Sequence, residues 1–150
     1  MKAVLGAVAV LSLLVFGGET ASTATACQPT RPDALGPFYE PGAPFRTKVG
    51  TGYVLRGRVL TTRCRPIARA RIEFWLVNRR GRYDDAHRAT VLARSDGRYR
   101  FESNRPIAYE GRPPHIHVRV SARGFRTLVT QHYPRGSRTR AVFDLVLQRR

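Results

Sequence analysis

The chain is short of acidic side chains. It has 10 Asp and Glu residues against 27 Lys and Arg residues in a length of 150, which gives a formal net charge of +17 and a pI near 11.5. A field of this sign attracts anions of any kind and does not bear on the fold. The arginines are spread along the chain and often alternate with apolar residues, whereas nucleic-acid binding would favour one basic stripe with interleaved stacking aromatics. We therefore interpret the charge as a solvated cationic surface and expect no nucleic-acid partner.

Long apolar runs are also missing. The apolar stretch from Ala3 to Phe16 falls short of the roughly 18 residues that a membrane span needs. It follows a lysine and precedes small polar residues that end in the tripeptide ATA at 24–26, which is the order of a secretory signal peptide. The sequence thus predicts a signal peptide over residues 1–26, an exported protein and no membrane span. Residues 27–150 suit a single domain and contain no visible repeat.

Cysteine is scarce, with only Cys27 and Cys64 in the chain. In an exported protein the default is one disulfide, which would tie the N-terminal arm to the body of the domain. The alternative is that Cys27, directly after the predicted cleavage site, is a lipid-modified terminus. Ala24 is a poor fit to that alternative, because lipoprotein signals favour a larger aliphatic residue three places before the cysteine. Intact mass separates the two, since a bridge removes two protons and a lipid adds acyl mass.

The chain does contain a series of short segments in which apolar and polar residues alternate. In one of them the even-numbered residues from Ile72 to Leu76 are apolar and would face one way, as in a β-strand. Asp96-Gly97 between two such segments predicts a hairpin turn. The predicted strands are residues 52–60, 69–77, 89–94, 98–103, 115–120, 125–131 and 141–148. Without a convincing helix, these predict an all-β fold, an antiparallel β-sandwich preceded by an irregular Pro/Gly-rich arm over residues 27–50.

Two histidines, His115 and His117, lie one residue apart in the segment RPPHIHVRV. A strand sends alternate side chains to opposite faces, so both imidazoles would point the same way while Ile116 takes the other face. Such a pair can converge on one metal ion, although it is also typical of a polar strand face. A metal would need further donors, and carboxylates are few. Tyr83 and Tyr109 are suggestively placed, although a lone tyrosine is typically a half-buried ring with its hydroxyl at the surface.

Five segments together resemble the intradiol ring-cleavage dioxygenases, especially their short, exported bacterial members. The segments are GPFYEPGAP, CRPIARARIEFWLVNRRGRY, SDGRYRFES, AYEGRPPHIHVRV and TQHYP. They span roughly residues 27–133, and their order and spacing make the resemblance specific. The resemblance implies that the protein cleaves a catechol-type aromatic with O2 to a cis,cis-muconate at a mononuclear non-haem Fe(III) ion.

The resemblance also implies the ligands of that ion. Tyr83, Tyr109, His115 and His117 match the two tyrosinates and two histidines of the family, with a hydroxide completing the shell. Ferric iron is a hard ion that suits anionic phenolate oxygens, and its charge can deprotonate a phenol whose free pKa is about 10. Two phenolates and one hydroxide would balance its three positive charges.

Three residues receive catalytic roles from the same resemblance. Tyr109 would leave the metal when a catechol dianion binds, and would serve as a base. Arg112, just before the histidine pair, would stabilise negative charge on the ring, and Gln131 of the T-Q-x-Y segment would support it by hydrogen bonding. The loop over residues 109–115 is short for this family, and a more open site for bulky lignin-related catechols is our hypothesis. The preferred catechol and the oligomeric state stay open.

Two other interpretations also stay open. The segment around Cys64 and the segment SDGRYRF occur as well in carboxypeptidase-regulatory and transthyretin-like β-sandwiches, which include extracellular binding modules without a metal. Such modules have no reason to carry both tyrosines, Arg112 and the histidine pair together. The third interpretation is a histidine-only zinc or copper site, in which the tyrosines would be dispensable.

The remaining aromatic and histidine residues receive structural roles. His87 and His132 match no ligand position and are predicted to be surface residues. Trp75 and Tyr99 are predicted to pack rather than to take part in chemistry. The resemblance places the arm that carries Tyr39 against the sandwich, and the sequence leaves open whether the Tyr39 ring reaches the substrate.

Overall fold

The computed structural model describes residues 26–150, so nearly all of the predicted signal peptide lies outside the described residues. Eight strands and one short 3-10 helix, Asp85–His87, form this part of the chain. The strands are β1 (Gly52–Thr61), β2 (Arg71–Trp75), β3 (Arg88–Leu92), β4 (Arg98–Asn104), β5 (Ile116–Ser121), β6 (Leu128–His132), β7 (Arg140–Val142) and β8 (Leu145–Leu147). Within residues 26–150 no helix is long and apolar enough to cross a membrane.

The strands form two four-stranded sheets. The first sheet has the order β4-β1-β7, and β8 also pairs with β1, at residues 59–61. The second sheet has the order β3-β2-β5-β6. All pairings in the second sheet and the β1–β4 pairing are antiparallel, whereas β7 and β8 run parallel to β1. The prediction of an all-β sandwich is therefore confirmed. The predicted strand 141–148 is divided into β7 and β8 around Asp144.

The core lies between the sheets and is built from alternate residues of their strands. Ile116, Val118 and Val120 of β5 are all 0% exposed. Phe74 of the second sheet stacks on Phe101 of the first, with ring centroids 4.3 Å apart and an interplanar angle of 5°. Each fully buried side chain of this size contributes about 1.5–3 kcal/mol to folding. Because the even-numbered residues of β5 fill the core, its odd-numbered residues face the outside of the second sheet.

The predicted turn at Asp96-Gly97 is present, with the Gly97 amide donating to the Arg94 carbonyl at 3.0 Å. It joins β3 of the second sheet to β4 of the first, and so crosses between sheets. The prediction of a hairpin was wrong in that respect, because local turn chemistry does not reveal which partner each strand chooses.

The arm over residues 27–50 is irregular, as predicted, and is fixed at both ends. The predicted disulfide Cys27–Cys64 is present, with a Cα–Cα distance of 5.2 Å. At the other end, backbone hydrogen bonds tie residues 44–49 to Thr90 of β3 and Glu102 of β4. Between these anchors the arm packs on the outer face of the second sheet. A lipid would be attached to the same Cys27 sulfur atom that forms the bridge. Intact mass of the protein distinguishes the two.

Candidate metal centre

The histidine pair lies at the start of β5, on the outer face of the second sheet. His115 and His117 are each 2% exposed, while Ile116 between them points into the core. The prediction that the two imidazoles share a face is confirmed, and their Nε2 atoms are 3.1 Å apart. Both are buried because the arm covers this face. A Cβ on Gly36 of the arm would lie 3.1 Å from Cε1 of His117, so the arm backbone touches the imidazole.

Tyr83 reaches the histidines from the loop after β2. The Asn78 side-chain oxygen accepts from the amides of Arg80 and Arg82 at 2.8 and 3.2 Å, and this turn brings the chain back towards the sheet. The Tyr83 hydroxyl then lies 2.9 Å from Nε2 of His117. Phe38 of the arm stacks on the Tyr83 ring, with centroids 4.4 Å apart. The phenol is therefore held between the sheet and the arm.

Tyr109 and Arg112 stand at the two ends of one tight turn. The Tyr109 amide donates to the Arg112 carbonyl at 3.2 Å, and the Arg112 amide donates to the Tyr109 carbonyl at 2.7 Å. Glu110 and Gly111 between them have φ values of 46° and 74°. Positive φ at both central positions is the type I′ geometry, which glycine adopts freely and glutamate adopts at a cost. The turn brings the two side chains to the same edge of the site.

Four donor atoms come together at this point. The Tyr83 and Tyr109 hydroxyls are 2.6 Å apart, and the Tyr109 hydroxyl lies 3.4 Å from Nε2 of His115. With the His115–His117 and His117–Tyr83 distances given above, these atoms close a four-membered ring of contacts. Donors around a single ion with bonds of about 2 Å are separated by about 3 Å, so the spacing suits one small ion. We call these four side chains the donor quartet.

The second ring nitrogen of each histidine has a different environment. Nδ1 of His115 donates to the Pro113 carbonyl at 2.7 Å, which leaves the Nε2 lone pair free for a metal. Nδ1 of His117 is buried without a well-formed hydrogen bond. Its ring is instead stacked on Trp75, at a centroid distance of 4.8 Å and an angle of 4°. Trp75 thus packs as predicted, and what it packs against is a candidate ligand.

Burial sets the protonation of the donor quartet. Desolvation, reinforced by the charges of His115 and Arg112, lowers the pKa of His117 to about 3, and desolvation also lowers the pKa of His115. Both imidazoles are therefore neutral near neutral pH, as metal ligation requires. Burial, followed by the hydrogen bond with Tyr109, raises the pKa of Tyr83 well above its ordinary value. A nearby cation would be needed to make this phenol a phenolate.

Arg112 and Gln131 form a second group beside the quartet. Nη2 of Arg112 donates to Oε1 of Gln131 at 2.9 Å, and Nε2 of Gln131 donates to the Ala34 carbonyl of the arm at 2.7 Å. Gln131 is paired across the sheet with His117, which explains its place on the site face. The Tyr133 hydroxyl lies 2.9 Å from both Gln131 Oε1 and Asp33 Oδ2. The structure therefore brings the predicted pair together and adds Tyr133 and Asp33.

Tyr39 does not join the donor quartet. Its hydroxyl donates to Oε1 of Glu73 at 3.2 Å, and its ring packs on Trp75 at 5.2 Å. Glu73 is 3% exposed and also accepts from Nη1 of Arg119 at 2.5 Å, with Nη2 of Arg71 at 3.5 Å. A buried carboxylate needs such partners, and the one from Tyr39 fastens the arm to the sheet.

Several residues of the site were missed or misplaced by the sequence. Phe38, Tyr133 and Asp33 were not singled out, although Phe38 and Tyr133 stand in the quoted segments GPFYEPGAP and TQHYP. The prediction that His132 is a surface residue was wrong: it is 9% exposed and lies 2.7 Å from the Tyr53 hydroxyl. His132 pairs with Ile116 across the sheet and so shares its inward face. His87 is half-buried, with Nδ1 2.6 Å from Asp84 Oδ1, and takes no part in the quartet.

The chemistry of the donor set fits a ferric ion. Two phenols and two neutral imidazoles provide hard oxygen and nitrogen donors at compatible spacing. Within residues 26–150 no three His, Cys, Asp or Glu side chains are grouped in a way that could hold a metal ion. A zinc or copper site without the tyrosines would therefore have only two imidazoles from the described residues.

Comparison with known proteins places this arrangement in context. A family model described as "Dioxygenase" matches residues 42–148. The chain is 35% identical over 131 residues to catechol 1,2-dioxygenase 2 of Acinetobacter lwoffii, covering 64% of this chain and 48% of that protein. It is 32% identical over 136 residues to catechol 1,2-dioxygenase of Candida albicans, covering 66% and 45%. The chain therefore spans about half the length of the curated relatives it matches.

Solved structures give the same comparison at the level of the fold. The dioxygenase domain of a dioxygenase carbohydrate-binding protein fusion from Streptomyces sp. SirexAA-E superposes with a TM-score of 0.74 at 27% identity. The match covers 82% of this chain and 100% of that one. Hydroxyquinol 1,2-dioxygenase from Pseudomonas putida DLL-E4 gives a TM-score of 0.71 at 18% identity, covering 86% and 68%, and shows the fold alone.

Proposed function

The chain belongs to the intradiol ring-cleavage dioxygenase family, and on that premise we propose that it is an Fe(III)-dependent oxidoreductase. The reaction is cleavage of a catechol-type aromatic between its two hydroxylated carbons, with O2, to a cis,cis-muconate. The observation that carries this proposal is the donor quartet, in which two phenols and two neutral imidazoles meet within 3.4 Å of their neighbours. The relatives act on catechol and hydroxyquinol by name, and the preferred ring is left open.

The residues that would hold the metal are Tyr83, Tyr109, His115 and His117. The histidines remain neutral because they are desolvated, and the Pro113 carbonyl fixes the tautomer of His115. A bound ferric ion supplies Lewis acidity that favours the phenolate and catecholate forms. A catechol dianion would compete with the protein's phenolates for the same ion, so one of the two tyrosines would be the protein donor to give way.

Tyr109 is the donor best placed to move. It lies at the end of a turn that contains a glutamate at positive φ, whereas Tyr83 is clamped between Phe38 and the sheet. The Tyr109 Oη atom would accept a proton from a catechol hydroxyl and so act as a general base. Its neighbour Tyr83 would remain the phenolate donor.

Arg112 supplies a fixed positive charge at the edge of the site. Its guanidinium is oriented by Gln131, which is itself fixed by the Ala34 carbonyl. A preoriented cation stabilises negative charge that develops on the bound ring, because little reorganisation is needed at the moment of reaction. The arm, through Gly36 and Phe38, limits the access of water to the same space.

A metal-free binding module is the alternative to be tested, together with a tyrosine-free metal site. The experiment is a visible absorption spectrum with iron analysis on the purified protein, before and after anaerobic addition of catechol. We expect close to one iron per chain and a tyrosinate-to-iron absorption band that shifts when catechol is added. Protein that stays colourless and iron-free after reconstitution with ferric iron contradicts the proposal. So does iron bound without any tyrosinate band.

We also propose that the protein is exported, with residues 1–26 removed as a signal peptide and Cys27 retained in its disulfide. The bridge itself is present in the structure. Intact mass of the protein recovered from culture medium tests this. The expected mass begins at Cys27 and lacks two protons, whereas a mass that includes residues 1–26 or an acyl chain is the contrary result.

A further inference from the structure

A compact group of arginines lies on the outer face of the first sheet, on the opposite side of the sandwich from the donor quartet. Arg56 and Arg58 of β1 lie directly opposite Arg100 and Arg98 of β4 in the antiparallel register. All four are exposed. Residues opposite each other are about 5 Å apart at their Cβ atoms, and residues two apart along a strand are about 6.6 Å apart. We call this two-by-two array the arginine quartet.

The arginine quartet lines an open cleft of about 1160 Å³, which Arg94 and Arg140 also line. The acidic groups nearby are already engaged. Asp96 pairs with Arg98 at 2.8 Å, Glu102 pairs with Arg100 at 2.8 Å, and Asp144 accepts from the backbone amide of Arg58. Within residues 26–150 the guanidinium groups of Arg56 and Arg58 form no ion pair. The cleft therefore presents a net positive surface rather than a balanced one.

This array is unfavourable for the fold taken alone. Like charges directly opposite each other in an antiparallel pair are destabilising, and this sheet has two such pairs side by side. The ion pairs of Arg98 and Arg100 offset this repulsion in part, whereas Arg56 and Arg58 have no such partner in the described part of the chain. Buried Leu55 and Val59 flank the Arg56–Arg58 pair, and buried Tyr99 lies between Arg98 and Arg100, so strand alternation directs each arginine outward. A bound polyanion would remove the repulsion that the free protein carries.

The composition indicates what kind of anion suits the surface. Of the 27 basic residues of the chain, 25 are arginines. A guanidinium offers a planar fork of donors that binds a carboxylate through two parallel hydrogen bonds, which an ammonium cannot do. Two forks without an ion pair among the described residues, Arg56 and Arg58, beside two that already pair with carboxylates, suit a chain of carboxylates better than a single small anion.

The surroundings favour a polysaccharide over a nucleic acid or a membrane. Single-stranded nucleic acids are bound by positive grooves with exposed aromatic platforms, and membranes by exposed apolar side chains. The two aromatic residues that line this cleft, Tyr53 and Tyr99, are only 1% and 4% exposed. Val142 is the exposed large apolar residue there, at 64%. The cleft is thus polar and cationic, without stacking surfaces.

We propose that the arginine quartet is a docking surface for a linear carboxylated polysaccharide with a carboxylate on each sugar. Because the surface and the donor quartet lie on opposite faces of the sandwich, the polymer and a catechol would bind at the same time. The protein would then be held on an acidic polymer that does not obstruct its catalytic face.

The test is equilibrium binding of the full protein to polygalacturonate, with the double variant R56Q/R100Q compared with R123Q/R126Q. The control also removes two positive charges, but from exposed positions outside the arginine quartet. We expect the Kd to rise at least tenfold in R56Q/R100Q and less than threefold in the control, with kcat/KM for catechol unchanged in both. The variant R56Q/R100Q should fold normally, with a melting temperature close to that of the wild type, because it removes one cross-strand repulsion and one exposed ion pair, Arg100–Glu102.

The contrary results are equally specific. Equal loss of binding in the two double variants would show that only the total charge matters and would overturn the proposal. Absence of wild-type binding to polygalacturonate in 150 mM salt would do the same. Tighter binding to single-stranded DNA, to polyphosphate or to vesicles containing anionic lipid, at equal charge concentration, would assign the surface to another class of partner.

Discussion

The two outer faces of the sandwich are built by the same strand alternation and differ in what lies on them. On the second sheet the arm lies over the strands, and Trp75 and His117 are each 2% exposed. On the first sheet Arg56 and Arg100 stay in solvent. Burial lowers the pKa of His117 to about 3 and keeps it neutral as a candidate metal ligand, while the open face keeps its charges hydrated. An irregular covering segment, rather than the sheet, makes one face a candidate active site.

Covering a polar face is possible only where its polar groups find partners. Glu73 has Arg119, Arg71 and Tyr39 around it, and Gln131 is held by Arg112 on one side and the Ala34 carbonyl on the other. These contacts compensate for desolvation and fix the arm at the same time. The site and the segment that covers it are therefore one unit.

The largest effect is expected from removing a donor on the covered face. Tyr83→Phe keeps the ring that stacks on Phe38 and deletes only the oxygen 2.9 Å from His117. We expect turnover below detection and loss of the tyrosinate absorption band, because the shell has no spare anionic donor. Tyr39→Phe is the matched control, since its hydroxyl contacts Glu73 and lies outside the quartet. Full activity of the Tyr83→Phe variant would remove this residue from the site.

A smaller loss is expected when the metal stays and the neighbouring charge is removed. Arg112→Ala should retain iron and its absorption band, while kcat falls roughly 10²–10³-fold, as for loss of one preoriented donor. Arg112→Lys keeps a positive charge without the planar guanidinium that donates to Gln131. Its kcat should lie between those of the wild type and Arg112→Ala. Steady-state kinetics with catechol and iron analysis measure both effects. Unchanged kcat in Arg112→Ala would show that this guanidinium has no catalytic role.

The covering of the second sheet can be loosened at its anchor. The Cys27–Cys64 bridge closes a segment with a sequence separation of 37 residues, and such a loop is worth about 3–4 kcal/mol of stability in the chain-entropy description. We expect C27S/C64S to lose about this amount in guanidinium unfolding. Trp75 is the only tryptophan and lies under the arm, so acrylamide quenching of its fluorescence should increase. Equal stability and equal quenching would show that the arm is held without the bridge.

Features of the two faces that depend on neighbouring residues could be predicted from the sequence, and features that depend on distant residues could not. Strand alternation alone placed His115 and His117 on one face and the apolar residues of β5 in the core, and both are confirmed. The approach of Tyr83 and Tyr109 to them was expected only from the family resemblance. Tyr83 lies in a loop after β2 and Tyr109 in a turn before β5, and no repeating pattern in the sequence shows that these two segments meet.

The features that the sequence did not predict depend on register between distant strands. Trp75 stacks on His117 because β2 and β5 pair these two residues, 42 positions apart in the chain. The arginine quartet exists because β1 pairs with β4 in the register that sets Arg56 against Arg100. In the sequence these arginines are two separate alternating pairs, and we interpreted them as a solvated surface. His132 is a case in which a signal existed, since it is four residues from the buried Leu128 on the same strand.

His132 also gives the smallest and most specific effect, at a buried site that belongs to neither outer face. Burial, with a further contribution from Arg135, lowers its pKa to about 4, and its Nε2 lies 2.7 Å from the Tyr53 hydroxyl of the first sheet. The folded state therefore favours the neutral ring. Above about pH 6.5 the ring is neutral in both states, so its burial does not make stability depend on pH. Between about pH 6.5 and 4 the unfolded chain binds a proton that the folded chain does not.

Stability should consequently fall as the pH is lowered through that window. Between pH 7.5 and pH 5 the His132 contribution amounts to about 2 kcal/mol. The variant His132→Gln, which cannot titrate, should lose about that much less than the wild type over the same interval in urea unfolding of the iron-loaded proteins. His87→Gln is the control, because it removes a half-buried histidine that lies outside the core and contacts Asp84 rather than Tyr53. Parallel pH profiles for the wild type and His132→Gln would show that His132 is protonated in the folded protein as readily as in the unfolded chain.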